Sequence, residues 1–371
     1  MLNKIGEHKP MMPLAGDGQY GYRHRRFLQG NSSMPTTITF DSLVQAALEC
    51  ARGVKWKDSI ATWVHPRNIA ANCLRLWREL DNGTYKLGGY VVFDVVEPKR
   101  RTIRSPRFRD RVVQRAMCNT GLYRDLTRGN IHDNAACQLR KGTTFAMDRL
   151  NCHLQRHFRK HGTDGWCLRL DIHKFFDSIP HEPLKDMVRR KVSNPEYRDY
   201  VIEVIDSFDD PGIGLGSQIS QLLAISYLSD LDHFIKEKMG IKAYIRYSDD
   251  IVIIHHDKDH LLHVWKVVEK MLCELGLSLN PKSTLHPLKD GIDFLKFKFR
   301  LTATGKVVRI LNRRSSVRIV KRLKRLVAKY RQGGRQWDDV INCFNSWKSH
   351  AMQGNSNAKV RRIEKWLKEQ Y

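Results

Sequence analysis

None of the eight cysteines, at positions 50, 73, 118, 137, 152, 167, 273 and 343, forms a Cys-x-x-Cys pair. This spacing argues against a structural zinc site and predicts reduced, buried thiols. No uninterrupted apolar run approaches the ~20 residues that span a bilayer, and the N-terminus carries no signal-peptide core; the expectation is a soluble cytoplasmic protein with no membrane partner. There is no internal repeat. Acidic residues are the scarce charge, with 39 Asp plus Glu against 65 Lys plus Arg and a net charge of +26. Such a surplus repels itself unless a polyanion is near, so the composition points to salt-dependent contact with phosphates.

The positive charge is concentrated toward the C-terminus, where residues 301–371 hold 18 basic and 4 acidic side chains. Within 315–330, Val320, Leu323, Val327 and Tyr330 recur at helical spacing while Arg318, Lys321, Arg322, Lys324, Arg325 and Lys329 fill the other faces. The pattern predicts a helix with one side in a core and another on nucleic acid. Trp337, Trp347 and Trp366 read as core anchors of later helices. At the other end, residues 1–37 are rich in Gly, Pro, Ser and Met, include Arg23-His24-Arg25-Arg26, and read as an extended basic arm. Phe40 to Leu80 reads as helices, with Asp41 or Ser42 as N-cap, Leu43, Ala46, Ala47 and Cys50 on one face, and Asn82-Gly83 as the end of the unit.

Against this shortage of acids, Tyr247-Ser248-Asp249-Asp250 sets two adjacent carboxylates between the apolar runs 243–247 and 251–254. A strand-turn-strand hairpin exposes such acids at a sheet edge, an arrangement suited to hard divalent cations with oxygen ligands. A third carboxylate is available at Asp171, which ends the buried strand Cys167-Leu168-Arg169-Leu170 and precedes Ile172-His173-Lys174-Phe175-Phe176-Asp177. Asp171 and Asp249 sharing two ions would match the centres that clamp the attacking and leaving oxygens of a phosphoryl displacement. His255-His256-Asp257, following this hairpin, reads as the end of a strand.

The chain at this point resembles a bacterial or phage reverse transcriptase, through ordered blocks across 97–299. Leu170-Asp171 to Asp177-Ser178-Ile179-Pro180-His181 resembles the first catalytic motif. Gly212-Ile213-Gly214-Leu215-Gly216-Ser217-Gln218-Ile219-Ser220-Gln221 resembles the second, Tyr247 to Asp250 the third, and Gly276 to Ser283 the fourth. Gly291 to Leu295 is similar to the primer-grip hairpin, and Glu97 to Ile103 with Phe108 to Gln114 to the fingers motifs. The second motif has Leu215 and Gln221 where most reverse transcriptases have glutamine and proline. This form is most similar to diversity-generating retroelement enzymes, which misincorporate opposite adenine. Their usual proline stands at the Gly214 position and their arginine at that of Gln138.

The resemblance implies an α+β, right-hand polymerase fold with fingers over 38–165, palm over 166–299 and a basic helical thumb over 300–371. It implies an RNA-directed DNA polymerase in which Asp171, Asp249, Asp250 and the backbone carbonyl of Ile172 hold two Mg²⁺, with Mn²⁺ as an alternative. Lys282 is the expected proton donor to pyrophosphate and Phe176 the steric gate against a ribose 2′-hydroxyl. Leu215, Gly216, Gln221, Lys99 and Arg101 complete the expected dNTP site. Implied partners are template RNA, the cDNA/RNA duplex and a basic accessory variability protein. The alternative roles are an antiphage-defence enzyme copying a noncoding RNA and, less well matched, an inert RNA-binding scaffold. No ribonuclease H pattern follows the thumb.

Overall fold

The computed structural model describes residues 36–54, 57–96 and 100–371 and mixes helices with antiparallel sheets. The basic arm up to residue 35 and Lys99 lie outside these residues. Strand β1 (Tyr90–Val95) pairs with β2 (Arg101–Pro106) as a two-stranded ribbon. Strands β3 (Trp166–Asp171), β4 (Tyr244–Tyr247), β5 (Asp250–His255) and β6 (Thr284–Pro287) form a sheet in the order β4-β5-β3-β6. Strands β7 (Ile292–Phe294), β8 (Phe297–Leu301) and β9 (Val307–Leu311) form the third.

The four-stranded sheet is buried on both faces, which explains why 251–254 is an unbroken apolar run instead of an alternating one. Leu168, Leu170, Ile251 and Ile253 enter one core with residues of helices Phe40–Ala51, Phe108–Met117 and Gln218–Tyr227. The intervening Cys167, Val252 and Ile254 point the other way. They join a second core with Met147, Leu150 and Leu154 of helix Thr143–His161, Phe294, Phe297 and Phe299, and the C-terminal helices.

Local signals place most helix faces and miss some ends. Leu43, Ala46, Ala47 and Cys50 are buried together, but the N-cap is Thr39, whose Oγ1 accepts from the Ser42 amide at 3.2 Å; Asp41 and Ser42 sit inside the first turn. Helix Ile69–Asp81 stops at Asn82, and Gly83 follows at φ +69°. In helix Arg313–Arg331 the buried stripe is Ser316, Ile319, Leu323 and Val327. Val320 and Tyr330 are only half-buried. The stripe is turned because the last helix, Asn357–Lys368, covers the first turn, with Lys359 Nζ donating to Ser316 Oγ at 3.1 Å. Trp347 is buried, and Trp337 and Trp366 pack against the same core. Among the thiols, Cys137 and Cys273 are exposed, contrary to the expectation of general burial. No helix among the described residues is long and apolar enough to cross a membrane.

Five imidazoles meet at the end of β5. His157 contacts His161 at 5.2 Å between ring centroids, His161 stacks on His256 at 4.2 Å, His256 contacts His255 at 4.4 Å, and His255 contacts His260 at 4.7 Å. Burial pushes the His157 imidazole down, as do the neighbouring His161 and His256, against the opposing Asp164 carbonyl. Burial likewise lowers His255, with His256 and His260 adding to it. Histidines lowered in the folded state bind more protons once unfolded, so their contribution to stability is intact above about pH 6.5 and is lost as pH falls through the folded values. The expected result is a lower melting temperature at pH 5.5 than at 7.5. His161→Gln/His256→Gln, which removes two of the like charges, should narrow that difference; an unchanged difference would clear the cluster of any part in it.

Candidate active site

The sheet brings Asp171 and Asp250 face to face. They are register partners on β3 and β5, and directly opposed residues on antiparallel strands project to the same face. Tyr247 pairs with Asp250 across the β4–β5 hairpin, leaving Ser248-Asp249 as a two-residue turn. Ser248 has φ +60°, and Asp249 is not among the positive-φ residues. This resembles a type II′ turn, whose first central position normally takes glycine. A serine held there stores about 1 to 3 kcal/mol of strain, a cost found mainly at functional sites.

Neighbouring backbone fixes the rest of the carboxylate set. The Asp249 carbonyl accepts from the Ile172 amide at 3.3 Å. Asp171 is bracketed by one turn: its amide donates to Ser283 Oγ at 3.2 Å and its carbonyl accepts from the Asn280 amide at 2.7 Å. Lys282 rides on that turn, exposed, with its amide donating to Asn280 Oδ1 at 3.1 Å. Asp250 is less open than the hairpin-tip expectation, at 19% side-chain exposure, and its Oδ1 accepts from Arg169 Nε at 3.2 Å. Burial first, and then the charges of Asp249 and Asp171, raise its carboxyl to about 6 against the opposing pull of Arg169.

Among the described residues, no group of three or more His, Cys, Asp or Glu side chains already converges as a metal cage. The donor chemistry nevertheless fits a hard divalent ion. Three carboxylates and the Ile172 carbonyl lie on two adjoining strand ends, and the mutual repulsion recorded in Asp250 is what a bound cation relieves.

The remaining expected site residues lie on the helix Phe175–Ser178, the 212–217 loop, helix Gln218–Tyr227 and β2. Phe176 is half-buried on the short helix Phe175–Ser178, with its ring T-shaped to Phe175 at 5.7 Å. Lys174 at φ +42° precedes this helix and turns the chain into it. The Phe176 carbonyl accepts from the Ile213 amide at 2.8 Å, joining this segment to the 212–217 loop. That loop is pinned to β2, since the Leu215 carbonyl accepts from the Arg104 amide at 2.7 Å. At Gly216, φ is +123° and an added Cβ would lie 2.8 Å from Ile103 Cγ2 and 2.9 Å from the Arg104 carbonyl. Ser217 caps helix Gln218–Tyr227 and donates to Gln114 Oε1 at 3.2 Å. Gln221 lines a cleft of about 440 Å³ with Arg52, Arg111, Arg115 and Gln218. Arg101 is exposed on β2 opposite Val95.

Sequence reasoning passed over Arg169 and Arg246. The signal was present, as each is a lone cation within an apolar strand run, Leu168-Arg169-Leu170 and Tyr244-Ile245-Arg246-Tyr247.

The sequence of the chain is 22% identical, over a match covering 37% of it and 24% of the relative, to the putative COX1/OXI3 intron 2 protein of Saccharomyces cerevisiae. Among solved structures it is similar to apo telomerase from Candida tropicalis truncated from the C-terminal domain (TM-score 0.48, 14% identity, 59% of this chain and 54% of that one). It is also similar to telomerase from Candida albicans in complex with a TWJ fragment of telomeric RNA (TM-score 0.45, 12% identity, 75% and 56%). The chain thus spans about a quarter of the length of the yeast relative and about half of each telomerase chain. The family model of the reverse transcriptase (RNA-dependent DNA polymerase) matches residues 97–299, which contain the whole carboxylate set. The antiparallel sheets flanked by helices form the right-hand polymerase fold, and with more than half of its 371 residues matched the chain belongs to the reverse transcriptase family.

Proposed function

We propose that the chain is an RNA-directed DNA polymerase that extends a 3′-hydroxyl with dNTPs on an RNA template. The observation that carries this reading is the register of Asp171 with Asp250 and the placement of Asp249 in the turn beside them, inside the matched family region. Asp171 and Asp249 would hold two Mg²⁺, with Asp250 and the Ile172 carbonyl assisting; when bound, such ions neutralise charge on the attacking and leaving oxygens. Lys282 stands on the turn that brackets Asp171, within the setting expected of a proton donor to the leaving pyrophosphate. Phe176 acts as the ribose gate, and Arg101 with Lys99 meets triphosphate oxygens. Fingers, palm and thumb occupy 38–165, 166–299 and 300–371.

The finer reading is a mutagenic polymerase of a diversity-generating retroelement, working with a template RNA and a basic accessory protein. An apolar Leu215 removes an amide hydrogen bond beside the nascent pair, where discrimination rests on small free-energy differences. The test is primer extension on a defined RNA template with Mg²⁺ and dNTPs, followed by sequencing. Errors enriched opposite adenine are expected, and Leu215→Gln should reduce them by about three- to tenfold, the worth of one hydrogen bond. Accurate or repetitive product from the wild-type chain would favour the defence role, and an unchanged error spectrum in Leu215→Gln would remove that side chain from the explanation.

A further inference from the structure

Arg246 and Asp232 form an ion pair with both side chains completely buried. Arg246 Nε donates to Asp232 Oδ1 at 2.7 Å and an Nη2 hydrogen to Asp232 Oδ2 at 2.5 Å. Nη2 also donates to the Ile225 carbonyl at 2.8 Å, and Nη1 to the Ser248 carbonyl at 3.1 Å. Tyr244 donates its hydroxyl to the same Asp232 carboxylate. The strand around Arg246 is held as well, its amide donating to the Asp133 carbonyl at 3.0 Å and its carbonyl accepting from the Ala135 amide at 2.9 Å.

One guanidinium therefore joins three parts of the site. Ser248 is the positive-φ residue of the hairpin turn that carries Asp249. Ile225 lies on helix Gln218–Tyr227, which begins at the Gly216–Ser217 loop, and Asp232 lies on the following helix Ser229–His233. Stability alone is a poor reason for such a pair, because well-packed apolar residues commonly replace a buried ion pair without loss. An apolar pair cannot donate to the Ser248 carbonyl. Lysine, with its flexible stem and point charge, cannot address the carboxylate and two carbonyls in fixed directions as the planar fork does.

We propose that Arg246 is a positioning residue for Asp249: it locks the strained Ser248 turn against helix Gln218–Tyr227, so that the carboxylate set keeps one geometry relative to the loop above it. This inference rests on the polymerase reading of the same site. Glycine favours this turn without outside support, so Ser248→Gly should relieve the dependence on Arg246.

The experiment compares wild type, Arg246→Lys, Arg246→Lys/Ser248→Gly and Arg246→Met/Asp232→Leu/Tyr244→Phe in primer extension, with thermal melts and a Mn²⁺ titration followed by electron paramagnetic resonance. For Arg246→Lys the expected result is a KM for dNTP within about twofold of wild type, a kcat reduced about 100-fold, as for a misplacement near 1 Å, and weaker Mn²⁺ binding. Added Ser248→Gly should restore most of the kcat. Arg246→Met/Asp232→Leu/Tyr244→Phe, which also removes the hydroxyl that Asp232→Leu would orphan, should melt near wild type while remaining slow. Should Arg246→Lys fail to fold, the near-isosteric Asp232→Asn carries the same readouts. Full kcat in a folded variant lacking the pair overturns the inference, as does Mn²⁺ affinity equal to wild type in Arg246→Lys. If wild type itself makes no cDNA, the polymerase reading is what fails, and the Mn²⁺ titration still decides whether Arg246 shapes the carboxylate set.

Discussion

Asp249→Ala is expected to slow template-directed extension by about a thousand-fold or more, with primer–template affinity nearly unchanged. Each factor of ten in rate corresponds to about 1.4 kcal/mol, and a metal-bridging carboxylate supports several kcal/mol of charge stabilisation. The turn position of Asp249 leaves its side chain outside the ladder, so its removal costs the sheet no strand pairing. Asp250 differs, because one of its oxygens already accepts from Arg169 at 3.2 Å. Asp250→Asn should therefore retain more activity than Asp249→Ala. Single-turnover extension with excess enzyme separates the chemical step from binding. A rate for Asp249→Ala within tenfold of wild type would place the chemistry elsewhere.

Raising salt from 50 to 200 mM is expected to weaken binding of an RNA–DNA duplex by about a thousand-fold or more, the behaviour of a protein that makes six or more phosphate contacts. The cations expected to make these contacts lie on helix Arg313–Arg331. Arg313, Arg314, Arg318, Lys321, Arg322, Lys324, Arg325 and Lys329 are all exposed while the opposite stripe is in the core. Beside it, a groove of about 790 Å³ carries Lys298, Lys359 and Arg362 on its lining. Arg318→Gln and Arg325→Gln should each reduce the slope of log affinity against log salt by about one, without changing sequence preference. Fluorescence anisotropy across a salt series gives the slope directly, and affinity independent of salt would rule out duplex binding through this helix.

The features legible from sequence are those that repeat locally. Apolar strands ending or beginning in aspartate, helical spacing in Leu43 to Cys50, and the Asn82-Gly83 stop each report on a few adjacent residues, and the structure has a strand end, a helix face and a helix end there. Contacts made across the chain left no such trace. Ser283 reaches Asp171 from 112 residues away, and His161 meets His256 although nothing in either segment announces the other. The left-handed Lys174 that sets up the helical turn at Phe175-Phe176 likewise has no signal in its neighbouring residue types.

The attachment of the 212–217 loop to β2 has a consequence for engineering. Gly216 is in near contact with Ile103 and Arg104, and the Leu215 carbonyl is bound by the Arg104 amide, so loop and ribbon form one joint. A bulkier side chain at 103 would press on Gly216 from a strand more than a hundred residues away in sequence. Libraries built to tune accuracy should therefore randomise 103 and 104 together with 215, because suppressors of a loop mutation are encoded as readily in the ribbon as in the loop itself.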